Sequence, residues 1–388
     1  MARLVYVCTI PSFAQLLLNG QLRDMQRRGF EVTLISSPGP ELGVVAASEG
    51  VDIVAVPMER EISPLRDLVA LYRMTRALRR LKPDIVNAGN PKAGLLGMVA
   101  ARLASVPVRV YTLHGLRLET TSGVKSGVLS FTEWLSARSA QRVLCVSESV
   151  RSEFERRRLA PRGKLTVTAG GSANGVDLER FRPRSRDPER QQALRRALGI
   201  PAAAPVIGFV GRFTRDKGIA ELFAAFETVL ESHPGAYLLL VGDFEPGDPV
   251  TASAAARMRA HPRVVLPGFI ADPAPYYQVM DLLALPSRRE GFGTVVLEAA
   301  ASAIPAVAFR VTGIGDSIAD GITGTLVDEG DVGQLTAALA RYLADDALRH
   351  RHGAAAAERA ATHFRQSVIW DGIHNLYRAL LGECSQNS

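Results

Sequence analysis

The sequence predicts an α/β protein made of two doubly wound domains, each a parallel sheet flanked by helices. Short apolar runs alternate with helical patterns from end to end, as crossover-connected parallel strands require. The length, 388 residues, exceeds what one hydrophobic core fills, so the chain should divide in two. In the first half the expected strands are 4–8, 31–36, 51–56, 84–87, 108–113, 142–146 and 165–168. In the second half they are 206–210, 236–241, 264–266, 282–285, 306–309 and 325–327. Segment 180–205 is rich in Arg, Pro and Ala, and its run Phe181-Arg-Pro-Arg-Ser-Arg-Asp-Pro188 cannot continue a sheet. It marks the expected boundary between a first domain, 1–180, and a second, 181–363. A last helix, 364–381, carries an apolar face of Ile369, Trp370, Ile373, Leu376, Tyr377 and Leu380. Two such sheets place a ligand at the carboxyl ends of their strands, in the crevice between them.

Composition is that of an ordinary globular chain, 47% apolar and 22% charged. Residues 4–22 carry no charge, yet Pro11, Ser12, Gln15, Asn19, Gly20 and Gln21 interrupt them. Strand, turn and helix fit that stretch better than a signal peptide or membrane span, which points to a cytoplasmic protein. Cys8 and Cys145 lie in apolar strand-like runs and read as buried thiols, not as a disulfide framework or zinc site. The net charge is +7, and the excess cations gather in the first half. Segment 65–82 holds Arg66, Arg73, Arg76, Arg79, Arg80 and Lys82 beside Leu68, Leu71, Tyr72, Leu78 and Leu81 at helical spacing. It is either a solvated helix face or a contact with anionic lipid headgroups, the latter making the protein peripheral on the inner membrane face. Nucleic acid is not an expected partner, because no reader motif or aromatic interleaving accompanies the cations.

The chemistry concentrates in Pro286-Ser-Arg-Arg-Glu290-Gly291-Phe292-Gly293-Thr294-Val-Val-Leu-Glu298. An apolar strand feeds a turn with two glycines, and a helix starts at about Thr294. Gly291 and Gly293 let backbone N–H groups approach a ligand, and the helix start favours an anion such as a diphosphate. Glu290 then stands at the mouth of the anion site and Glu298 over a turn further in. Carboxylates repel a diphosphate, so their partners should be hydroxyls: a sugar for Glu290, a ribose for Glu298. Together these describe a nucleotide-sugar site.

The same pair of glutamates, with seven residues between them, resembles the signature of the family 4 retaining glycosyltransferases. It is joined by Gly211-Arg212-Phe-Thr-Arg-Asp-Lys217-Gly218, Thr112-Leu-His114-Gly115, Asn174-Gly175-Val176-Asp177 and Asp320-Gly321-x-x-Gly324-x-Leu326-Val327. These motifs run in the expected order over nearly the whole chain. The resemblance implies the GT-B fold, two doubly wound Rossmann-like domains facing across a cleft, with the end of the chain, 364–388, joined to the first. It also implies a retaining transferase using a nucleotide-sugar as co-substrate. Arg212 and Lys217 would stabilise the charge that grows on the diphosphate leaving group, Glu290 would bind sugar hydroxyls, and His114 would bond the donor sugar across the crevice. Gly211, Gly291, Phe292, Gly293, Thr294 and Glu298 would complete the donor site.

No Asp-x-Asp triad sits at a strand end, and Asp345-Asp346 reads as helix surface, so no metal or other cofactor is expected. Retention admits a covalent carboxylate or a front-face path; the sugar-binding role that the resemblance implies for Glu290 favours the front face. Two segments depart from the family pattern. Thr9-Ile10-Pro11-Ser12-Phe13 stands where a Gly-Gly turn is usual, and Thr312-Gly313-Ile-Gly315-Asp316 replaces Gly-Gly-x-x-Glu. The loops at 87–94 and 114–125 resemble those of bacterial enzymes that build glycans on polyprenyl-diphosphate carriers. Lys92, Arg117 and Lys125 are then either acceptor-diphosphate contacts or solvated loop cations. Competing readings are a nucleotide-sugar 2-epimerase of the same architecture, a transferase using a soluble small acceptor, and a non-catalytic nucleotide-sugar binder. The epimerase would need a denser acid/base set than Glu290 and His114. The binder would have lost Arg212, Lys217 or Glu290. A nicotinamide dehydrogenase is excluded, as no Gly-x-Gly-x-x-Gly follows the first strand.

Overall fold

A computed structural model describes residues 1–59, 63–183 and 188–386, and its strands fall into two all-parallel sheets. The first compact unit comprises Met1–Asn174 and the chain end from Gln366; the second is Gly175–Arg365. The first runs β1 Ala2–Val7, α1 Pro11–Leu17, α2 Gln21–Arg27, β2 Phe30–Ser36, α3 Glu41–Glu49, β3 Asp52–Ala55 and α4 Pro64–Leu81. It continues with β4 Ile85–Gly89, α5 Pro91–Leu103, β5 Val108–Leu113, α6 Gly123–Ser139, β6 Arg142–Cys145, α7 Glu148–Arg156 and β7 Leu165–Thr166. The strand order is β3-β2-β1-β4-β5-β6-β7. The chain winds outward to β3 and then returns to lay β4 beside β1, pairing Leu4 with Ile85, so the switch point lies between those strands. Both faces are covered by helices, which is why the strands read as unbroken apolar runs.

Helices α4, α5 and α6 pack side by side. In α4 the core takes Ala70, Met74 and Leu78, with Leu71 and Leu81 half-buried. Leu68 and Tyr72, which share the helical spacing, are exposed, together with Leu65 and Val69. Ala70, Met74 and Leu78 also recur at every fourth position, and it is their stripe that meets the sheet.

The second unit runs α8 Pro188–Ala197, β8 Val206–Val210, α9 Ile219–Ser232, β9 Tyr237–Val241, α10 Ala252–Ala260, β10 Val264–Gly268, α11 Ala274–Tyr277 and β11 Leu282–Leu285. It continues with α12 Thr294–Ala301, β12 Ala306–Phe309, α13 Ile314–Ser317, β13 Gly324–Val327, α14 Val332–Ala344 and α15 Asp346–Arg359. Its order, β10-β9-β8-β11-β12-β13, puts the switch point between β8 and β11.

Residues 184–187 of the expected boundary segment lie outside the described residues. Helix α8, next in the chain, is built into the second unit. Its buried Arg195 guanidinium donates to the carbonyls of Ala204 and Val279, both at 2.8 Å, and meets Asp281 at 3.4 Å. The units therefore divide at Asn174/Gly175 and Arg365/Gln366, a few residues from the breaks expected at 180/181 and 363/364. The last helix, α16 Gln366–Gln386, packs on the first unit through Ile369, Ile373, Tyr377 and Leu380. Trp370 Nε1 donates to Asn174 Oδ1 at 2.7 Å. Among the described residues no helix is long and apolar enough to cross a membrane.

Candidate functional site

In the second unit three loops meet at the carboxyl ends of the neighbouring strands β8, β11 and β12. Glycine makes the meeting possible. Gly218, at φ 66°, sits against the Pro286 carbonyl, and Gly313, at φ 83°, against that of Gly291; a Cβ on either would collide with backbone. Asp216 locks the first two loops together. Its carboxylate accepts from Thr214 at 2.6 Å and Arg289 at 2.8 Å, and its carbonyl from the Arg288 amide at 2.8 Å. Burial would raise the Asp216 pKa, but the Thr214 and Arg289 hydrogen bonds hold it below the usual carboxylate range.

That frame brings Lys217 and Glu290 together, Nζ to Oε1 at 2.5 Å, with only 18% and 14% of the side chains exposed. Arg212 is more open and reaches Glu245 at 2.5 Å. Gly293, in the left-handed conformation at φ 77°, caps α12 with no side-chain hydrogen bond to the first turn at Thr294. Phe292 lies between the two glycines. Its ring is buried, edge-on to Phe364 at 5.1 Å, so this position offers a ligand only its backbone.

Glu298 stands on the fifth residue of α12 and accepts from the Tyr277 hydroxyl at 2.6 Å. Burial pushes its pKa up to about 7, against the lowering effect of that bond. Phe181 packs edge-on to the Tyr277 ring at 5.6 Å, and Arg180 lies over Phe181 while pairing with Asp272 at 2.9 Å. Tyr277 carried no signal in the sequence, since a tyrosine in Pro-Tyr-Tyr fits a core position equally well. Phe269, just past β10, is an exposed aromatic in the same unit. Asp345 caps α15 by accepting from Leu348 N, and the neighbouring Asp346 pairs with Arg349. No cluster of His, Cys, Asp and Glu suited to a metal occurs among the described residues.

In the first unit His114 follows β5 and lines a small concavity with Phe13, Gln21, Asn87, Gly89 and Thr112. Burial lowers its pKa to about 4, so the imidazole is neutral. Phe13 meets it edge-on with ring centroids 5.0 Å apart, and a Cβ on Gly89 would come within 2.6 Å of Nε2. The segment that departs from the family pattern therefore supplies an aromatic wall, and Pro11 starts α1 with no N–H to give. Beneath lies a buried chain: Thr112 donates to Asn87 at 2.7 Å, Asn87 to Tyr377 at 2.5 Å, and Tyr377 to Tyr6 at 3.1 Å.

The three cations expected at the acceptor lie on different elements. Lys92, in the first turn of α5, pairs with Asp67 at 2.7 Å. Arg117 is exposed on a 3-10 turn, and Lys125 is exposed near the start of α6. Asn90 is occupied in capping α5, accepting from Ala93 N at 3.2 Å and from Thr9 at 2.7 Å.

Comparison with known proteins identifies the family. A family model described as "Glycosyl transferases group 1" matches residues 204–345, and "Glycosyl transferase 4-like domain" matches 18–171. The capsular polysaccharide biosynthesis glycosyltransferase CapM of Staphylococcus aureus is 33% identical over 95% of this chain and 94% of its own. The UDP-Gal:alpha-D-GlcNAc-diphosphoundecaprenol alpha-1,3-galactosyltransferase of Escherichia coli is 28% identical over 74% of each. Among solved structures, Anabaena Alr3699/HepE in complex with UDP and glucose superposes with a TM-score of 0.81. It covers 97% of this chain and 100% of its own at 20% identity, a likeness of fold. Matched in both halves and over nearly its full length, the chain belongs to the family 4 glycosyltransferases of the GT-B fold.

Proposed function

We propose that the enzyme moves a hexose or N-acetylhexosamine from a UDP-sugar to a glycan acceptor carried on a polyprenyl diphosphate. The transfer proceeds with retention and without a metal. The observation that carries this reading is the Lys217–Glu290 pair beside the glycine-capped start of α12, with Glu298 and Tyr277 further along the same helix. A cation for a diphosphate, a carboxylate for a sugar and a second carboxylate for a ribose occur there in that order. Support for the substrates comes from the Escherichia coli relative, whose name gives a UDP-galactose donor and a diphosphoundecaprenol acceptor, and from the UDP and glucose held by HepE.

The bond from sugar C1 to the β-phosphate oxygen breaks, and a bond from C1 to the acceptor oxygen forms on the same face. The acceptor's proton passes to the departing phosphate oxygen. Lys217 and Arg212 carry the charge that grows there, the task a divalent cation performs in other transferases. Glu290, oriented by Lys217, accepts from sugar hydroxyls; Glu298, oriented by Tyr277, accepts from ribose hydroxyls. The neutral His114 imidazole bonds the sugar without adding a charge of its own. Lys92 is engaged by Asp67, which leaves Arg117 and Lys125 as the more accessible cations for an acceptor diphosphate.

Incubation with a panel of UDP- and GDP-sugars, with and without EDTA, tests the donor half. Release of UDP from one donor, unchanged by the chelator, is the expected result. Loss of turnover in EDTA, restored by magnesium or manganese, would replace the two-cation account with a metal-assisted one.

A further inference from the structure

Helix α6 carries an apolar stripe on its outer face. Val124, Val128, Phe131 and Trp134 recur every three or four residues along its outer face, exposed by 87%, 43%, 60% and 43%. The inner face buries Leu129 and Ala137 in the core, together with Glu133, Ser136 and Ser139. Glu133 accepts from the Tyr111 hydroxyl at 2.7 Å. A helix that served only to cover its sheet would keep its outer face polar. The Phe131 and Trp134 rings lie against one another outside the core, centroids 5.8 Å apart and 29° from parallel. Beyond them, the charged residues of α6 are Lys125 near its start and Arg138 near its end, both exposed, and the buried Glu133. The apolar stripe is thus bracketed by cations and has no carboxylate of α6 facing outward. Across α5, helix α4 repeats the theme, with its exposed apolar half followed by Arg73, Arg76, Arg79 and Arg80.

We propose that the outer face of α6 is a bilayer anchor, Phe131 and Trp134 entering the headgroup–acyl boundary while Lys125 and Arg138 meet anionic headgroups. The inference rests on the lipid-linked acceptor reading and assigns that acceptor's membrane as the partner of this helix. A helix lying in the interface buries one apolar face and keeps its cations at headgroup level, and tryptophan suits the wet side of that boundary. Charge decides against a second copy of the chain. Two α6 helices packed antiparallel about a two-fold axis would set Lys125 against the partner's Arg138 with no α6 carboxylate between them.

The test uses the full chain with Trp370→Phe, so that Trp134 alone reports. Vesicles of phosphatidylcholine with about a quarter phosphatidylglycerol should blue-shift its fluorescence, and brominated lipids should quench it. Phe131→Ser with Trp134→Ser should weaken vesicle binding about tenfold or more by flotation. Val128→Asp, a milder change, should weaken it in the same direction, with melting curves confirming that each variant folds. Transfer to a polyprenyl acceptor in detergent micelles should be unchanged in these variants. Vesicle binding without quenching would overturn the anchor and leave the lipid-linked acceptor standing, since cations alone would then hold the protein. Absent vesicle binding together with a dimer that the double variant dissociates would overturn it in favour of self-association. If Trp134 is quenched by vesicles but no transfer to the micellar acceptor occurs, the anchor holds and the acceptor reading fails.

Discussion

Lys217 Nζ and Glu290 Oε1 stand 2.5 Å apart on loops that leave neighbouring strands, each side chain mostly screened from water. The pair makes either residue's removal more than the loss of one contact. Lys217→Ala takes a cation from the leaving group and strips Glu290 of its partner. The expected cost is about 2–4 kcal/mol of transition-state stabilisation, roughly a hundredfold or more in turnover. Arg212→Ala should act in the same direction. Glu290→Gln should lower turnover more than nucleotide affinity. Steady-state kinetics with near-normal turnover in both cation variants would place the diphosphate elsewhere.

Glu298 yields a pH signature. Its pKa is pushed up to about 7, and the ionised form is the better acceptor for ribose hydroxyls. Affinity for uridine, which carries no phosphate to titrate, should fall as pH drops from about 8 to about 6. Glu298→Gln should bind more weakly at the upper pH and show a flat profile. Calorimetric titrations giving the same slope for both proteins would remove Glu298 from the ribose.

Gly313→Ala tests the loop junction. At φ 83° an alanine is strained, and its methyl would press on the Gly291 carbonyl next to Glu290. The Glu290 loop must shift, so turnover should drop about tenfold or more while the melting temperature falls by a few degrees. An unchanged rate would mean that the loop's position does not matter to the chemistry.

Glu133 predicts a trend in stability. Its pKa rises from 4.5 to about 7 because burial penalises the carboxylate, so the folded chain keeps a proton that the unfolded chain releases. Its contribution is complete below about pH 4.5 and is lost as pH rises through about 7, a change of at most about 3 kcal/mol. Glu298 adds to the same trend, so the comparison must be with Glu133→Gln. Between about pH 5 and about pH 8 that variant should lose less melting temperature than the unaltered protein. Parallel curves would show that Glu133 titrates as if exposed.

Strands at 108–113, 206–210, 282–285 and 306–309 were legible to the residue, because helices on both faces turn a parallel strand into an apolar run. The face of α4 was not. Two apolar stripes share the helical period there, and only packing chooses Ala70, Met74 and Leu78 over Leu68 and Tyr72. At the site, glycine spacing announced the loops that hold Lys217, Glu290 and Thr294. It was silent on Tyr277, which comes from another element, and on Asp67, which engages Lys92 from 25 residues away. Phe292 sat within the motif, yet its ring belongs to the core, for a motif records backbone demands and packing demands alike.

Transfer itself is the most direct measurement. A radiolabelled UDP-sugar, the unaltered enzyme and a polyprenyl-diphosphate-linked N-acetylhexosamine are incubated in detergent with EDTA, then separated between water and organic solvent. The account predicts that label enters the organic phase as the α-linked sugar, one UDP released for each sugar moved, and that Lys217→Ala slows both about a hundredfold or more. Label that stays on the nucleotide as a different sugar, or that reaches only water-soluble acceptors, would contradict it.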